Sequence, residues 1–379
     1  MAIPLSLYIH IPWCVQKCPY CDFNSHAVQA TLPEEEYVQA LLADLAQDSV
    51  WTYQRPIHSI FIGGGTPSIF SPESFEKLFA GLHASLTLPP DIEITLEANP
   101  GTVDNARFQA FRRLGINRLS LGVQSFQDKA LNDLKRIHTR KTAIDAIEAA
   151  NKAGFNNVNL DVMFGLPYQT VEDAINDLNM AVSFHPTHLS WYQLTIEPNT
   201  IFYHHPPTLP DDDIVWDIQQ QGQMFLQEQG YEQYEISAYT QAKNHCQHNL
   251  NYWQFGDYLG IGAGAHAKVT TTEGTIKRFS KQRHPTTYLQ FASTPRVIAQ
   301  TIELNHDDIC LEFMMNALRL SEGFSEALFQ ERTGLTLSDI HKPLQAAIAQ
   351  NWLKQQNGII QPTPQGLQFL NQLLGFFVT

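Results

Sequence analysis

The chain has 379 residues, enough for a large core and two domains, and 43% of them are apolar. A formal charge of −14 leaves no basic surface for a nucleic-acid backbone, so nucleic acid is excluded as the main partner and small molecules and proteins remain. No apolar run is long enough to span a bilayer, and Met1–Ser6 has neither a basic region nor a cleavable apolar segment. The expected location is cytoplasmic, with attachment at the inner face of a membrane left open. A free thiol cluster fits a reducing compartment better than a disulfide framework does.

The first half alternates strands and helices. Strands are expected at 5–11, 59–62, 93–97, 118–123, 158–164 and 188–194. Between them helices are expected at 34–46, 72–86 with Ser71 as cap, 105–114, 129–135, 141–153 stopping at Gly154, and 171–184. Six strands with helical crossovers predict a parallel sheet with right-handed connections. Six units fall short of an eight-fold barrel, so the expected fold class is α/β, a partial (β/α)6 barrel; an open doubly wound sheet is the alternative.

Residues 196–210 read as loop, 214–229 as helix and 234–236 as a short strand. Residues 239–267 are dense in His, Asn, Trp, Tyr and Gly without a clear period, and 268–305 read as a connector. From Asp307 three helices (307–320, 325–333, 337–350) precede a hairpin around Asn357-Gly358 and a last helix from Pro364, the pattern of a winged helix. Four basic residues there (Arg319, Arg332, Lys342, Lys354) face seven acids, so a packing or lid module is expected rather than a DNA reader. The expected division is 1–238 for the barrel, 239–305 for the His/Gly/aromatic segment with its connector, and 306–379 for a mostly helical, winged-helix-like domain.

Chemistry concentrates at Cys14, Cys18 and Cys21, spaced Cys-x3-Cys-x2-Cys, while Cys246 and Cys310 stand alone. Thiolates suit iron–sulfur clusters and zinc. Three cysteines without a near fourth suggest a cubane cluster with one iron open to a small molecule. Closed zinc with His26 as fourth ligand, or plain buried or redox thiols, are the other readings. The remaining unusual residues fall at the carboxyl ends of the expected strands, where parallel α/β folds place their sites. Gly63-Gly64-Gly65-Thr66-Pro67 lets the backbone approach a ligand and offers its N–H groups, or is only a tight turn. Glu97 could bond ribose hydroxyls or serve a salt bridge. Gln124 ends the fourth strand. Arg136 suits a carboxylate. Asp161 is an acid inside an apolar strand and needs a partner. Tyr8 could pack on a ligand or belong to the core. In His248-Asn249-Leu250-Asn251-Tyr252-Trp253 the imidazole could ligate heme, with the aromatics lining a porphyrin face, or could only satisfy backbone groups. His245 and Cys246 compete as ligands, Gly260–Gly264 is a weak glycine motif, and His204 and His205 read as surface. The apolar end, 373–378, reads as core or as a docking element.

The cysteine stretch resembles that of the radical S-adenosylmethionine (SAM) superfamily. The resemblance implies a 4Fe–4S cluster whose open iron chelates the methionine part of SAM. One electron would cleave SAM to methionine and a 5′-deoxyadenosyl radical. It also implies that the glycine-rich turn meets the SAM amino group. The spacing from Glu97 through Gln124 and Arg136 to Asp161, and the C-terminal module, resemble the oxygen-independent coproporphyrinogen III oxidase family over nearly the whole chain. On that resemblance Cys14, Cys18 and Cys21 ligate iron, and Tyr8, Tyr20, Gly64, Gly65, Thr66, Glu97, Gln124, Arg136 and Asp161 hold SAM. Two departures separate the chain from the oxidase: Phe23 stands where the oxidase has a further cysteine, and the chain starts almost at its first strand. The His-Asn-x-x-Tyr-Trp run resembles the signature of the family's heme chaperone branch. That implies a heme-binding protein, with His248 at the heme site, which hands heme to respiratory apoproteins and does not decarboxylate coproporphyrinogen. It further implies an electron-donor protein and a homodimer linked to the cluster. A radical decarboxylase of coproporphyrinogen III, a heme-modifying enzyme, or SAM that merely props the fold are the alternatives.

Overall fold

The computed structural model describes residues 3–28 and 31–378. The leader reading rests partly on Met1 and Ala2, outside the described residues. In chain order, β1 (Leu5–Ile11) leads into the cysteine loop, which is held by a two-stranded pair, β2 (Trp13–Cys14) and β3 (His26–Ala27). There follow α1 (Glu34–Asp48), β4 (Ile57–Gly64), α2 (Pro72–Ser85), β5 (Glu93–Ala98), α3 (Asn105–Arg113), β6 (Arg118–Gln124), α4 (Asp128–Asp133), α5 (Arg140–Lys152), β7 (Val158–Phe164), α6 (Val171–Ser183) and β8 (His188–Gln193). Ser71 accepts from the Ser74 N–H as the cap of α2, and Gly154 turns the chain after α5 at φ 87°. Strands β1-β4-β5-β6-β7-β8 are neighbours in that order and all parallel. The order never reverses, so the sheet curls one way into a partial barrel and is not doubly wound.

Alternation along each strand sets the two faces. Leu5, Leu7, Ile9 and Ile11 are fully buried under helices, packed with Tyr37, Leu41 and Leu45 of α1. Each such aliphatic contributes about 1.5–3 kcal/mol by leaving water. Ser6, Tyr8 and His10 point to the other face, the barrel interior. Ser6 Oγ lies 2.8 Å from Ser59 Oγ across the β1–β4 pair. The interior is thus polar and the exterior apolar, which places the chemistry inside.

After β8 come α7 (Ile201–His204), α8 (Asp212–Glu228), β9 (Glu232–Glu235) and β10 (Ala238–Thr240); β10 pairs antiparallel to β8 and β9 antiparallel to β10, which closes one edge of the sheet. His204 and His205 are exposed. The segment expected to be irregular holds α9 (Gln247–Trp253) and β11 (Asp257–Ile261), and β11 pairs parallel to β1. The stretch expected to be a connector instead forms β12 (His266–Thr270), β13 (Ile276–Lys281), α10 (Pro285–Phe291) and β14 (Ile298–Glu303). These strands extend the sheet to twelve. The physical reason is buried charge. Asp257, at 0% exposure, takes Arg55 at 2.8 Å and Lys268 at 3.1 Å, and Lys281 Nζ sits 2.6 and 2.7 Å from Asp44 and Asp48 of α1. Those ion pairs fasten β11–β13 to the barrel, yet their residues look like surface in the sequence.

The C-terminal part packs α11 (His306–Ala317), α12 (Glu326–Thr333) and α13 (His341–Ala349) on a three-stranded sheet of β15 (Phe324–Ser325), β16 (Leu353–Gln356) and β17 (Ile359–Pro362). Asn357 and Gly358 make the hairpin turn at φ 52° and 76°. Phe313 stands 4.9 Å, edge to face, from both Phe324 and Phe329. Leu373 and Phe377 are buried in that core, so most of the apolar end is packing; of its apolar side chains, Val378 is the exposed one. Arg319–Glu235 (3.0 Å) and Arg278–Glu312 tie this part to the sheet.

Candidate functional site

At the carboxyl ends of the barrel strands lies a cavity of about 480 Å³. Cys14, Cys18 and Cys21 line it, as do Tyr20, Gly64, Gly65, Thr66, Glu97, Gln124, Arg136 and Asp161. The structure therefore gathers into one place nearly every residue singled out in the first half of the sequence. All three thiols are free. The cysteine loop is fixed by main-chain bonds from His26 N to Pro12 O (2.7 Å) and Val28 N to Cys14 O (2.9 Å), and by Lys17 Nζ donating to the Phe23 and Ser25 carbonyls. Burial and the neighbouring Cys21 and Cys18 push the Cys14 thiol up to about 11, so a thiolate there needs a cation. His26 does not line this cavity; its ring lies against His284, 5.4 Å away. No three His, Cys, Asp or Glu side chains among the described residues converge on a single-ion point.

The glycine-rich turn works differently from the expectation. Gly64 N donates to Glu97 Oε2 (3.1 Å), Gly65 N to Ile11 O (2.8 Å) and Thr66 N to Trp13 O (2.7 Å). No N–H of residues 64–66 is left for a ligand, so an ammonium group would meet carbonyl oxygens, the Thr66 hydroxyl or Glu97. The glycines are required by packing: a Cβ at Gly65 would fall on the Trp13 carbonyl oxygen, and Gly64 has φ 122° with Ile11 O 2.7 Å from its would-be Cβ. The turn thus docks β4 onto the cysteine loop.

Glu97 is pushed up to about 8, first by burial and then by Asp161. Asp161 accepts from Asn159 Nδ2 (2.8 Å) and Ser120 Oγ (3.1 Å), so the partner that a buried acid needs is supplied by the protein itself. Gln124 holds φ 68° at a register shift in β6, an unusual conformation for a non-glycine residue, and its Oε1 accepts from Tyr192 Oη at 2.9 Å. Arg136 donates to Gly122 O (2.7 Å) and reaches Cys18 Sγ at 3.6 Å, while its Nε is buried without a partner. An orphaned guanidinium donor beside three thiols fits an anionic occupant, as do the donor set and the open wall. The cavity also contains Ser120, Ser190 and Tyr192, which sequence reasoning passed over. They occupy the same inward period-two positions as Gln124 and Asp161, and that alternation was the available signal.

Tyr8 and His248 lie elsewhere. Tyr8 lines a second, wider cavity of about 950 Å³ that meets the first at Phe23, Gly64 and Glu97. His248 lines neither. It is 1% exposed, with Nδ1 3.0 Å from Ser59 Oγ and Nε2 2.9 Å from Tyr252 Oη, and burial pushes it down to about 3. Both ring nitrogens are engaged, by side-chain hydroxyls and not by the backbone groups that the structural alternative expected. His248 and Tyr252 meet one helical turn apart on α9, whereas Ser59 comes from β4, far away in the sequence. His245 stacks on Tyr234 at 4.3 Å, and Cys246 is fully buried with Sγ 3.7 Å from Glu93.

Residues 8–181 match the Radical SAM superfamily, and residues 304–369 match the HemN C-terminal domain. The chain is 50% identical to the heme chaperone HemW of Haemophilus influenzae over 382 residues, covering 99% of this chain and 98% of that one. It is also 50% identical to the heme chaperone HemW of Escherichia coli K12 over 375 residues, with the same coverage. The chain belongs to the radical SAM superfamily, in its HemN/HemW-like family. Among solved structures, coproporphyrinogen III oxidase (HemN) from Escherichia coli superposes with a TM-score of 0.85 at 22% identity, covering 100% of this chain and 91% of that one, which shows the shared fold. Radical SAM proteins use a 4Fe–4S cluster and SAM, and the three-thiol cavity with its orphaned arginine fits such a group.

Proposed function

We propose that this protein is a heme chaperone, which binds heme and passes it to respiratory apoproteins from a radical SAM scaffold. The observation that carries the reading is end-to-end similarity, 50% over 99% of the chain, to two proteins named heme chaperones. In this reading Cys14, Cys18 and Cys21 hold three irons of a 4Fe–4S cluster. Tyr20, Gly64, Gly65, Thr66, Glu97, Gln124, Arg136 and Asp161 surround SAM, and Tyr8 stands at the seam with the wider cavity. A cluster with SAM supplies one-electron reductive cleavage when bound. The chain's own residues position and shield: Arg136 neutralises thiolate charge beside Cys18, Glu97 accepts from an ammonium group, and Gln124 is held by Tyr192. An electron-donor protein and a homodimer belong to the same reading, as does a cytoplasmic location. No helix among the described residues is long and apolar enough to cross a membrane.

The test is anaerobic turnover of the cluster-reconstituted chain with SAM, a reductant and coproporphyrinogen III, with products read by mass spectrometry, beside a heme titration. Heme binding with coproporphyrinogen left intact supports the reading. Loss of two carboxyl groups over many turnovers makes the protein an oxidase and overturns it.

A further inference from the structure

The wider cavity is about twice the size of the cofactor cavity and near the upper end of the range for small-molecule sites, about 300–1,000 Å³. Strand pairing builds its wall. Ser6 lies opposite Tyr258, Tyr258 opposite Lys268, Lys268 opposite Arg278, and His266 opposite Ser280, so one continuous face runs from the barrel interior onto β11–β13. That face meets α9, where Tyr252 stands edge to face with Tyr258 at 4.6 Å. The lining is aromatic and basic: Phe23, Tyr252, Trp253 and Tyr258 with four Lys and Arg side chains, against the single acid Glu97, in a chain of net charge −14.

Most polar groups in this lining are already engaged. Lys268 is bonded to Asp257, Lys281 to Asp44 and Asp48, and Arg278 to Glu312 on one edge. Two are not. Arg283 is exposed and bonds only the neutral Asn24 amide oxygen at 3.3 Å. His266 is exposed and makes no side-chain hydrogen bond among the described residues, whereas the other lining imidazole, His10, is 6% exposed with Nδ1 3.0 Å from Tyr8 Oη and Nε2 2.9 Å from Asn24 O. An aromatic wall, one free imidazole and a guanidinium without an acid partner match an iron tetrapyrrole that carries carboxylates. Trp253 Nε1, buried and unpartnered, is a further polar group in the same wall.

We propose that heme occupies this cavity, with His266 as its axial ligand and Arg283 at its propionate edge. The proposal rests on the heme-carrier reading above. Tyr252 then has a positioning partner: His248, which lies outside the cavity, holds the Tyr252 hydroxyl from behind. Heme and SAM share the wall formed by Phe23, Gly64 and Glu97.

The test titrates hemin and hemin dimethyl ester into the cluster-reconstituted full chain, following the Soret band and the electron paramagnetic resonance spectrum. His266→Ala removes an exposed side chain and leaves folding intact, so its expected result is a changed ligand signature and an affinity loss of about ten- to a hundredfold. Arg283→Glu is expected to weaken hemin about tenfold or more while leaving the dimethyl ester, which lacks the carboxylates, unaffected. His284→Ala, a nearby exposed histidine, is expected to change neither readout. His248→Ala is expected to weaken binding through Tyr252 while retaining the ligand signature. If wild type binds hemin and His266→Ala keeps both signature and affinity, or if only His248→Ala changes the ligand signature, the placement is overturned while the heme-carrier reading stands. If wild type binds no hemin, the heme-carrier reading itself fails and takes the placement with it.

Discussion

Replacing Lys281 by methionine tests whether β11–β14 are an integral part of the barrel. Lys281 is 1% exposed and its Nζ lies 2.6 Å from Asp44 and 2.7 Å from Asp48. Asp44 also accepts from Tyr288 Oη at 2.9 Å and Gly262 N at 3.2 Å, so it stays in place when the ammonium leaves. Removing one partner of a buried pair costs about 3–5 kcal/mol, because the other charge stays desolvated. That is a large part of a total stability of about 5–15 kcal/mol. The loss depends on pH. Burial already pushes Asp48 up to about 6 with Lys281 present. A folded-state value above the ordinary 3.8 means that the folded state holds the proton through that window, and wild-type stability falls as pH rises across it. Without the ammonium both carboxyls rise further, so the variant escapes much of the cost at pH 5.5 by protonation and bears it fully at pH 8. Urea unfolding of the two proteins at both pH values, followed by circular dichroism, reads the difference. A loss below about 1 kcal/mol at pH 8, the range of an exposed pair, would refute the reasoning; so would a larger loss at pH 5.5 than at pH 8.

Other perturbations address the cofactor cavity. Glu97→Gln is expected to stabilise the apo chain at pH 8 and to be neutral near pH 5, since a rise from 4.5 to about 8 makes wild-type stability fall across that interval. The shift caps the gain at about 5 kcal/mol, and water in the open cavity reduces the expected value to about 1–2 kcal/mol. Parallel pH slopes for variant and wild type would contradict the assignment. Serine at Cys14, Cys18 and Cys21 together is expected to abolish the brown cluster absorption, and iron retained at the wild-type level would remove the cluster from these residues. Gly65→Ala drives a methyl group into the Trp13 carbonyl and is expected to displace the cysteine loop, with iron content falling by half or more in reconstitution. Full iron and unchanged melting would show that the turn does not fix the loop.

The parts of this molecule legible in the sequence are those whose signal is local. Cys14–Cys21, the β/α alternation and the turn residues at Ser71, Gly154 and Asn357-Gly358 each depend on neighbours a few positions away, and each falls where the pattern places it. The extension β11–β14 was not legible, for two reasons. Strand β14 exposes five of its six residues and so has no alternation to read, and Asp257, Lys268 and Lys281 look like surface until partners from α1 and from Arg55 make them core. The same holds at His248. Its role depends on Ser59, 189 residues away, and no local pattern distinguishes a buried imidazole held on both nitrogens from one free to bind metal. In the cofactor cavity, the alternation that turns Ser120 and Tyr192 to one face can be read along each strand, but which face points into the barrel is settled by pairing with the neighbouring strands.

The central claim is that the chain carries heme and gives it up to another protein. Its most direct test is transfer: the cluster-reconstituted chain, loaded with one equivalent of heme, is mixed anaerobically with a respiratory apoprotein, and holo-protein formation is followed by absorption and regained activity. The expected result is that the apoprotein becomes active at stoichiometric heme, and faster than with the same heme free in solution. Heme that stays on the chain, or free heme that serves equally well, would contradict it.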